Sequence, residues 1–262
     1  MTINTTAQQD VVIAMKEVKI RLGGMSIHQG INFAVQRGEV IGIVGGSGSG
    51  KTTLLREMLM LTRPDSGSIS ILGQDMMRAT TQQLLAVQRR WGVLFQQNAL
   101  FSSLSVLDNV AFPLKEHTML DEKSIRELAI LKIMQVGLPE SAAIKYPSEL
   151  SGGMAKRAAL ARAIVLDPEL IFLDEPTAGL DPESAAGLDD LILNLQSTMG
   201  LTVIVITHDL DTLWRITNRV AFLGKGTVLC MDSMENLIKN PNELIQDFFN
   251  GPRGRAAANK YA

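Results

Sequence analysis

Cysteine occurs once in the 262 residues, at Cys230, so the chain cannot build a disulfide framework and suits a reducing compartment. Long apolar runs are missing as well. None approaches the roughly 20 residues that cross a bilayer, so work at a membrane would require another chain's helices. The opening MTINTTAQQD has no basic segment followed by an apolar stretch and does not read as a signal peptide. Neither sign of charge dominates: 25 Lys and Arg stand against 27 Asp and Glu, which argues against a nucleic-acid-binding surface. There is no internal repeat and no low-complexity tract. What remains is a chain long enough to bury the core of one large α/β domain, with 13 scattered methionines that read as core gap-fillers.

Apolar patterning organises that domain. EVIGIVGG (39–46) is a short apolar run ending in glycines, as a buried parallel strand meeting a loop would be. KTTLLREMLML (51–61) predicts a helix, RPDSG (63–67) its stop, and SISILG (68–73) a strand. TQQLLAVQRR (81–90) is helical and WGVLFQ (91–96) strand-like. From about 98 to 168 only helical patterns occur, among them 121–137, opened by acids and closed by Gly137. Buried strands return at LIFLDE (170–175) and LTVIVITHD (201–209), separated by a helix near 183–197. The expected fold is α/β, wrapped around a helical insertion. The final GPRGRAAANKYA (251–262) is polar and basic, and is expected to be extended or disordered on its own.

The strongest motif is GGSGSGKTT (45–53). Its Gly45, Gly50, Lys51 and Thr52 fit G-x-x-x-x-G-K-[ST], and the segment lies between a strand and a helix, as the mechanism requires. Backbone N–H groups along Gly45, Gly46, Ser47, Gly48, Ser49 and Gly50 can turn inward around phosphates. Lys51 reaches the outer phosphates, the Thr52 hydroxyl can hold Mg²⁺, and the helix start through Thr53 adds its positive end. In LIFLDE, Asp174 ends a buried strand where it can accept a water on Mg²⁺, and Glu175 can polarise an attacking water. His208 in VITHD can bond a γ-phosphate or hold the water in line. Gln96 can ligate Mg²⁺. Taken alone, strand-end acids often serve as caps, and a lone strand-end His or Gln is often structural. The phosphate loop gives the acids their meaning.

A second anion cradle lies a hundred residues on. In LSGGMAKRAALARAI (150–164), Ser151, Gly152 and Gly153 leave bare N–H groups at a helix start. The bland reading is a simple N-cap. Because Lys51 and its loop already serve one side of a nucleotide, the second cradle either takes another ligand or faces the same nucleotide from another subunit. A two-fold head-to-tail dimer does the latter, and uses both contacts twice.

This set of motifs resembles the ATP-binding cassette (ABC) family over nearly the whole chain. The order matches: phosphate loop 45–52, Gln96, signature 150–154, Walker B 170–174, Glu175, AGLD at 178–181 and His208. The segment 94–114 also looks like the entry to the helical subdomain of transporter cassettes. The resemblance implies a RecA-like P-loop NTPase core in two stretches (about 11–97 and 169–240), a helical subdomain (about 98–168) and a tail (about 241–262). It implies ATP and Mg²⁺ as ligands, Glu175, His208 and Gln96 as catalytic, and Thr52, Gln96 and Asp174 on the metal. It further implies a homodimer under a membrane permease, peripheral on the cytoplasmic face of the inner membrane. Two departures narrow the match. Met154 stands where the family usually has Gln, and with FPLKEHT (112–118) it is similar to the cassettes of phospholipid-trafficking systems. Those serve MCE-domain lipid-binding proteins and work with a small STAS-domain subunit. The second departure is Ile20 and Leu22 in place of an aromatic adenine platform, which keeps apolar contact but not stacking. Only 54 residues follow His208, too few for the regulatory domain of many sugar and methionine importers. An amino-acid-type importer ATPase is the alternative. A soluble repair or translation cassette is more remote, since no long coiled-coil insertion or second cassette is present.

Overall fold

In the computed structural model, which describes residues 10–250, two sheets face each other across one of three apolar clusters. The first is antiparallel, in the order β2-β1-β4-β5, from β1 (Val11–Leu22), β2 (Met25–Gln36), β4 (Ser66–Ile71) and β5 (Gln74–Asp75). The second has the order β10-β9-β3-β8-β7-β6. Its strands are β3 (Val40–Gly45), β6 (Trp91–Leu94), β7 (Leu170–Asp174), β8 (Thr202–Ile206), β9 (Arg219–Gly224) and β10 (Thr227–Asp232). Five of these run parallel, and β10 closes one edge antiparallel to β9. Strands β3 and β8 are buried at every residue, because a central parallel strand is covered on both faces.

Helix α1 (Lys51–Met58) follows β3, and its Leu54, Leu55 and Met58 pack into the core between the sheets. It is shorter than the expected 51–61: the chain leaves the helix through Met60, at φ 55°. Helix α2 (Thr81–Gln88) starts at a Thr80–Gln83 capping box. Between β6 and β7 lie α3 (Val106–His117), α4 (Glu122–Gln135) and α5 (Gly152–Ile164). The loop entering α3 is held by buried Asn109, whose amide accepts from the Phe101 N–H and donates to the carbonyls of Phe101, Leu104 and Ser105. Helix α4 has Asp121 as its N-cap, and Gly137 turns the chain at φ 76°.

Helix α6 (Pro182–Met199) links β7 to β8, and α7 (Leu210–Ile216) links β8 to β9. Two short helices follow, α8 (Met234–Leu237) and α9 (Glu243–Phe249). Here the expected tail boundary is corrected. Ile245 and Phe249 are buried and join Phe222 in a third apolar cluster, so residues 243–249 belong to the folded body. The basic stretch 251–262 lies outside the described residues.

Candidate functional site

β3 delivers the phosphate loop. Gly45 sits at φ 155°, and a β-carbon there would collide with the Leu223 carbonyl and press on Ser49 Oγ. Gly48 and Gly50 take positive φ, while Gly46 and Gly48 face open space. Gly50 is the N-cap of α1 and has no side chain to satisfy the helix's first N–H groups, which leaves them for an anion. Lys51 Nζ reaches back over the loop and donates to the carbonyls of Gly45 (2.8 Å) and Gly46 (3.1 Å). Burial lowers the Lys51 pKa, and the charges of Glu175 and Asp174 oppose that shift. Ser49 Oγ is buried in the loop with no hydrogen-bond partner among the described residues. A polar cradle with an unspent hydroxyl and an ammonium bent across it fits a polyphosphate.

β7 and β8 bring up the acid groups. Asp174 ends β7, and its pKa is raised by burial and then by the charge of Glu175. Glu175 has left the strand in the left-handed region, at φ 48°, a strained geometry for a side-chain-bearing residue. Its N–H donates to the Ile206 carbonyl, which pins the turn to β8. The carboxylate holds two partners. Oε1 lies 2.8 Å from His208 Nδ1, and Oε2 accepts from the Thr207 hydroxyl at 3.2 Å. His208 is 59% exposed at its side chain while Glu175 is only 13% exposed, so the imidazole stands toward solvent on a held carboxylate.

Lys156 escaped the sequence reading. From α5, its buried ammonium donates to the carbonyls of Gln96 (2.7 Å) and Glu175 (3.1 Å), joining the signature helix to two strand ends. Its pKa is lowered by burial, opposed by Asp174 and Glu175. The Gln96 side chain itself is exposed. The sole signal in the sequence was a lysine two residues past Met154 in an alanine-rich helix. Thr207 was missed too, as was a polar network behind it. There Thr212 Oγ1 lies 3.2 Å from both oxygens of buried Asp189, and the Thr177 hydroxyl lies 3.3 Å from Thr212 Oγ1 and from Asp209.

Ser151 is the N-cap of α5 and accepts from the Met154 N–H at 3.3 Å. The Met154 side chain packs half-buried against the core below the helix, which explains an apolar residue there. Gly152 and Gly153 abut Leu180 and Ser184. No hydrogen bond or ion pair joins this cradle to the phosphate loop among the described residues. Of the two apolar residues expected near adenine, Ile20 is 1% exposed and turned into the core, which removes it; Leu22, 40% exposed, remains.

The sequence profile of the ABC transporter family matches residues 28–178, more than half the chain. The chain belongs to the ABC transporter family. The cassette is 40% identical over 250 residues to the intermembrane phospholipid transport system ATP-binding protein MlaF of Haemophilus influenzae, which covers 95% of this chain and 94% of that one. Among solved structures, a dimeric bacterial ABC transporter cassette superimposes with a TM-score of 0.78 at 30% identity, covering 85% of this chain and 98% of that one. The same bacterial cassette in a post-hydrolysis state, bound to ADP and phosphate, gives 0.77 at 29% identity with the same coverage. The cassette is thus an ATPase with the ABC fold. No helix among its described residues is long and apolar enough to cross a membrane.

Proposed function

We propose that the cassette is the ATP-hydrolysing subunit of a transporter that moves phospholipid between the inner and outer membranes of an envelope. The observation that carries the chemistry is the Glu175 carboxylate held between His208 and Thr207 beside the phosphate loop. The substrate rests on the 40% identity to MlaF along nearly the whole chain.

In this reading the backbone of Gly45–Gly50 and the N–H groups of Lys51, Thr52 and Thr53 bind the phosphates, and Lys51 neutralises the outer ones. Among the described residues no three His, Cys, Asp or Glu cluster as a metal site. Mg²⁺ does not need one, since it keeps waters and takes one or two protein oxygens beside the phosphates. Thr52 and Gln96 would supply such oxygens, Asp174 would accept from a water on the ion, and Mg²⁺ held there would neutralise charge on the phosphates. Glu175 takes a proton from the attacking water as the bond to ADP breaks, while His208 keeps the carboxylate aimed and reaches the γ-phosphate. Ser151, Gly152 and Gly153 cover the nucleotide of a second copy, so ATP closes a homodimer and hydrolysis opens it.

The core lobe (about 11–97 and 169–249) then carries the chemistry, and the helical subdomain (98–168) carries the signature. Where they meet, Trp91, Phe95, Phe101, Phe112 and Pro113 line a groove of about 320 Å³ between β6 and α3. It suits a short helix of a membrane permease, which would place the cassette on the cytoplasmic face of the inner membrane. An MCE-domain lipid-binding protein and a small STAS-domain subunit complete the proposed complex.

A strain lacking the gene tests the reading. It should be sensitive to detergent with chelator yet grow normally on minimal medium, and wild type but not Lys51→Ala should restore the barrier. An intact barrier with a growth defect cured by one amino acid would assign the cassette to amino-acid import instead.

A further inference from the structure

A hydrogen-bonded polar pair is sealed beneath the phosphate loop. His28, in β2, has its Nδ1 2.8 Å from Glu57 Oε2 in α1, and both side chains are 0% exposed. The outer atoms of the pair, His28 Nε2 and Glu57 Oε1, have no hydrogen-bond partner among the described residues. Nε2 faces Gly50: a β-carbon built on that glycine would collide with it and lie 3.2 Å from Ile27 Cγ2. Gly50 holds φ 96° as the N-cap from which Lys51 and Thr52 depart. A closed triangle results, from His28 to Glu57, back along α1 to Gly50, and across to His28.

Stability does not account for this arrangement. A single hydrogen bond between buried side chains gains little net, and the two unpartnered polar atoms, His28 Nε2 and Glu57 Oε1, each cost desolvation that nothing repays. An apolar pair of similar volume would fill the same space at lower cost. What the triangle supplies is a fixed position. His28 pairs with Ile20 across the β1–β2 ladder, two residues from Leu22, where the adenine is expected. The triangle therefore spans from the base-side end of the antiparallel sheet to the phosphate loop.

We propose that His28 is a positioning residue: clamped by Glu57, its imidazole braces Gly50 and fixes the spacing between the adenine-side strand end and the phosphate cradle. The inference rests on the reading that residues 45–53 bind the phosphates of ATP and that its base lies against Leu22. Neither side chain touches Glu175 or His208, so the brace governs binding of ATP rather than its turnover.

The test uses the full chain with Mg²⁺ and ATP. His28→Leu/Glu57→Leu removes both orphan atoms together, and should melt at or above the wild-type temperature while KM for ATP rises about tenfold and kcat stays within about twofold. Glu57→Gln keeps an oxygen that accepts from Nδ1, and should leave KM within about threefold of wild type. A double variant with wild-type KM, one that loses kcat with KM unchanged, or one that melts lower or fails to fold overturns the proposal. So does a tenfold rise in KM in Glu57→Gln. Lys51→Ala separates the two levels: if it keeps wild-type ATP affinity, the assignment of the loop itself fails. If it loses ATP while the double variant does not, only the brace fails.

Discussion

Asp189 should make the folded state less stable as the pH rises, and by an amount that can be measured. The carboxyl is 2% exposed on α6, and burial drives its pKa from 3.8 to about 7, helped by the nearby charge of Asp209 and opposed by Thr212 and Arg215. The folded state therefore holds a proton that the unfolded chain has already released. The resulting stability is complete below about pH 4 and is lost as the pH climbs through about 7. Full loss corresponds to about 4 kcal/mol, of which about 3 kcal/mol falls between pH 5 and pH 8. Asp189→Asn does not titrate. Its stability minus that of wild type should rise by about 3 kcal/mol over that interval, equivalent to roughly 6–12 °C in Tm for a chain of this size. Taking the difference removes other carboxylates such as Glu169, whose pKa is lowered mainly by Arg90 and which acts in the opposite direction. The assay is urea unfolding of both proteins at pH 5, 6, 7 and 8. A difference that stays flat across the series would refute the account of Asp189 as a buried acid.

Lys156→Met should lower turnover about tenfold or more, because Gln96 and Glu175 lose their common anchor and small displacements of reacting groups are costly; wild-type kcat in steady-state assays would contradict this. Gly92→Ala drives a β-carbon into the Ala163 backbone carbonyl of α5 and should destabilise the fold by about 2–3 kcal/mol in urea titrations. Leu22→Tyr should tighten ATP binding severalfold, near the low end of the about 1–3 kcal/mol that a base gains on an aromatic. Calorimetry showing no change would place the adenine elsewhere.

The site was legible wherever chemistry requires a particular residue at a particular spacing. Gly45, Gly50, Lys51 and Thr52 form one contiguous motif, and Asp174–Glu175 ends an apolar run whose burial is written in its composition. The parallel strands around them were visible for the same reason. What escaped depends on pairs far apart in the chain. Lys156 reads as one more polar residue in a helix until the fold sets it against carbonyls 60 and 19 positions away. His28 and Glu57 are unremarkable in their separate segments, and only the meeting of β2 with α1 makes them a pair. Long β1 and β2, whose register slips at several bulges, blur the two-residue alternation that would have announced the first sheet. Helix α9 is seven residues long and too short for periodicity to show.

The central claim is that ATP hydrolysis at Glu175 powers phospholipid movement. The most direct measurement reconstitutes the cassette with the proposed permease and lipid-binding protein between two vesicle populations, and follows transfer of a fluorescent phospholipid. The account predicts transfer that needs ATP and Mg²⁺ and stops in Glu175→Gln, although that variant still binds ATP and stays dimeric. Transfer at the wild-type rate in Glu175→Gln, or ATP turnover by the wild-type complex with no phospholipid moved, would contradict it.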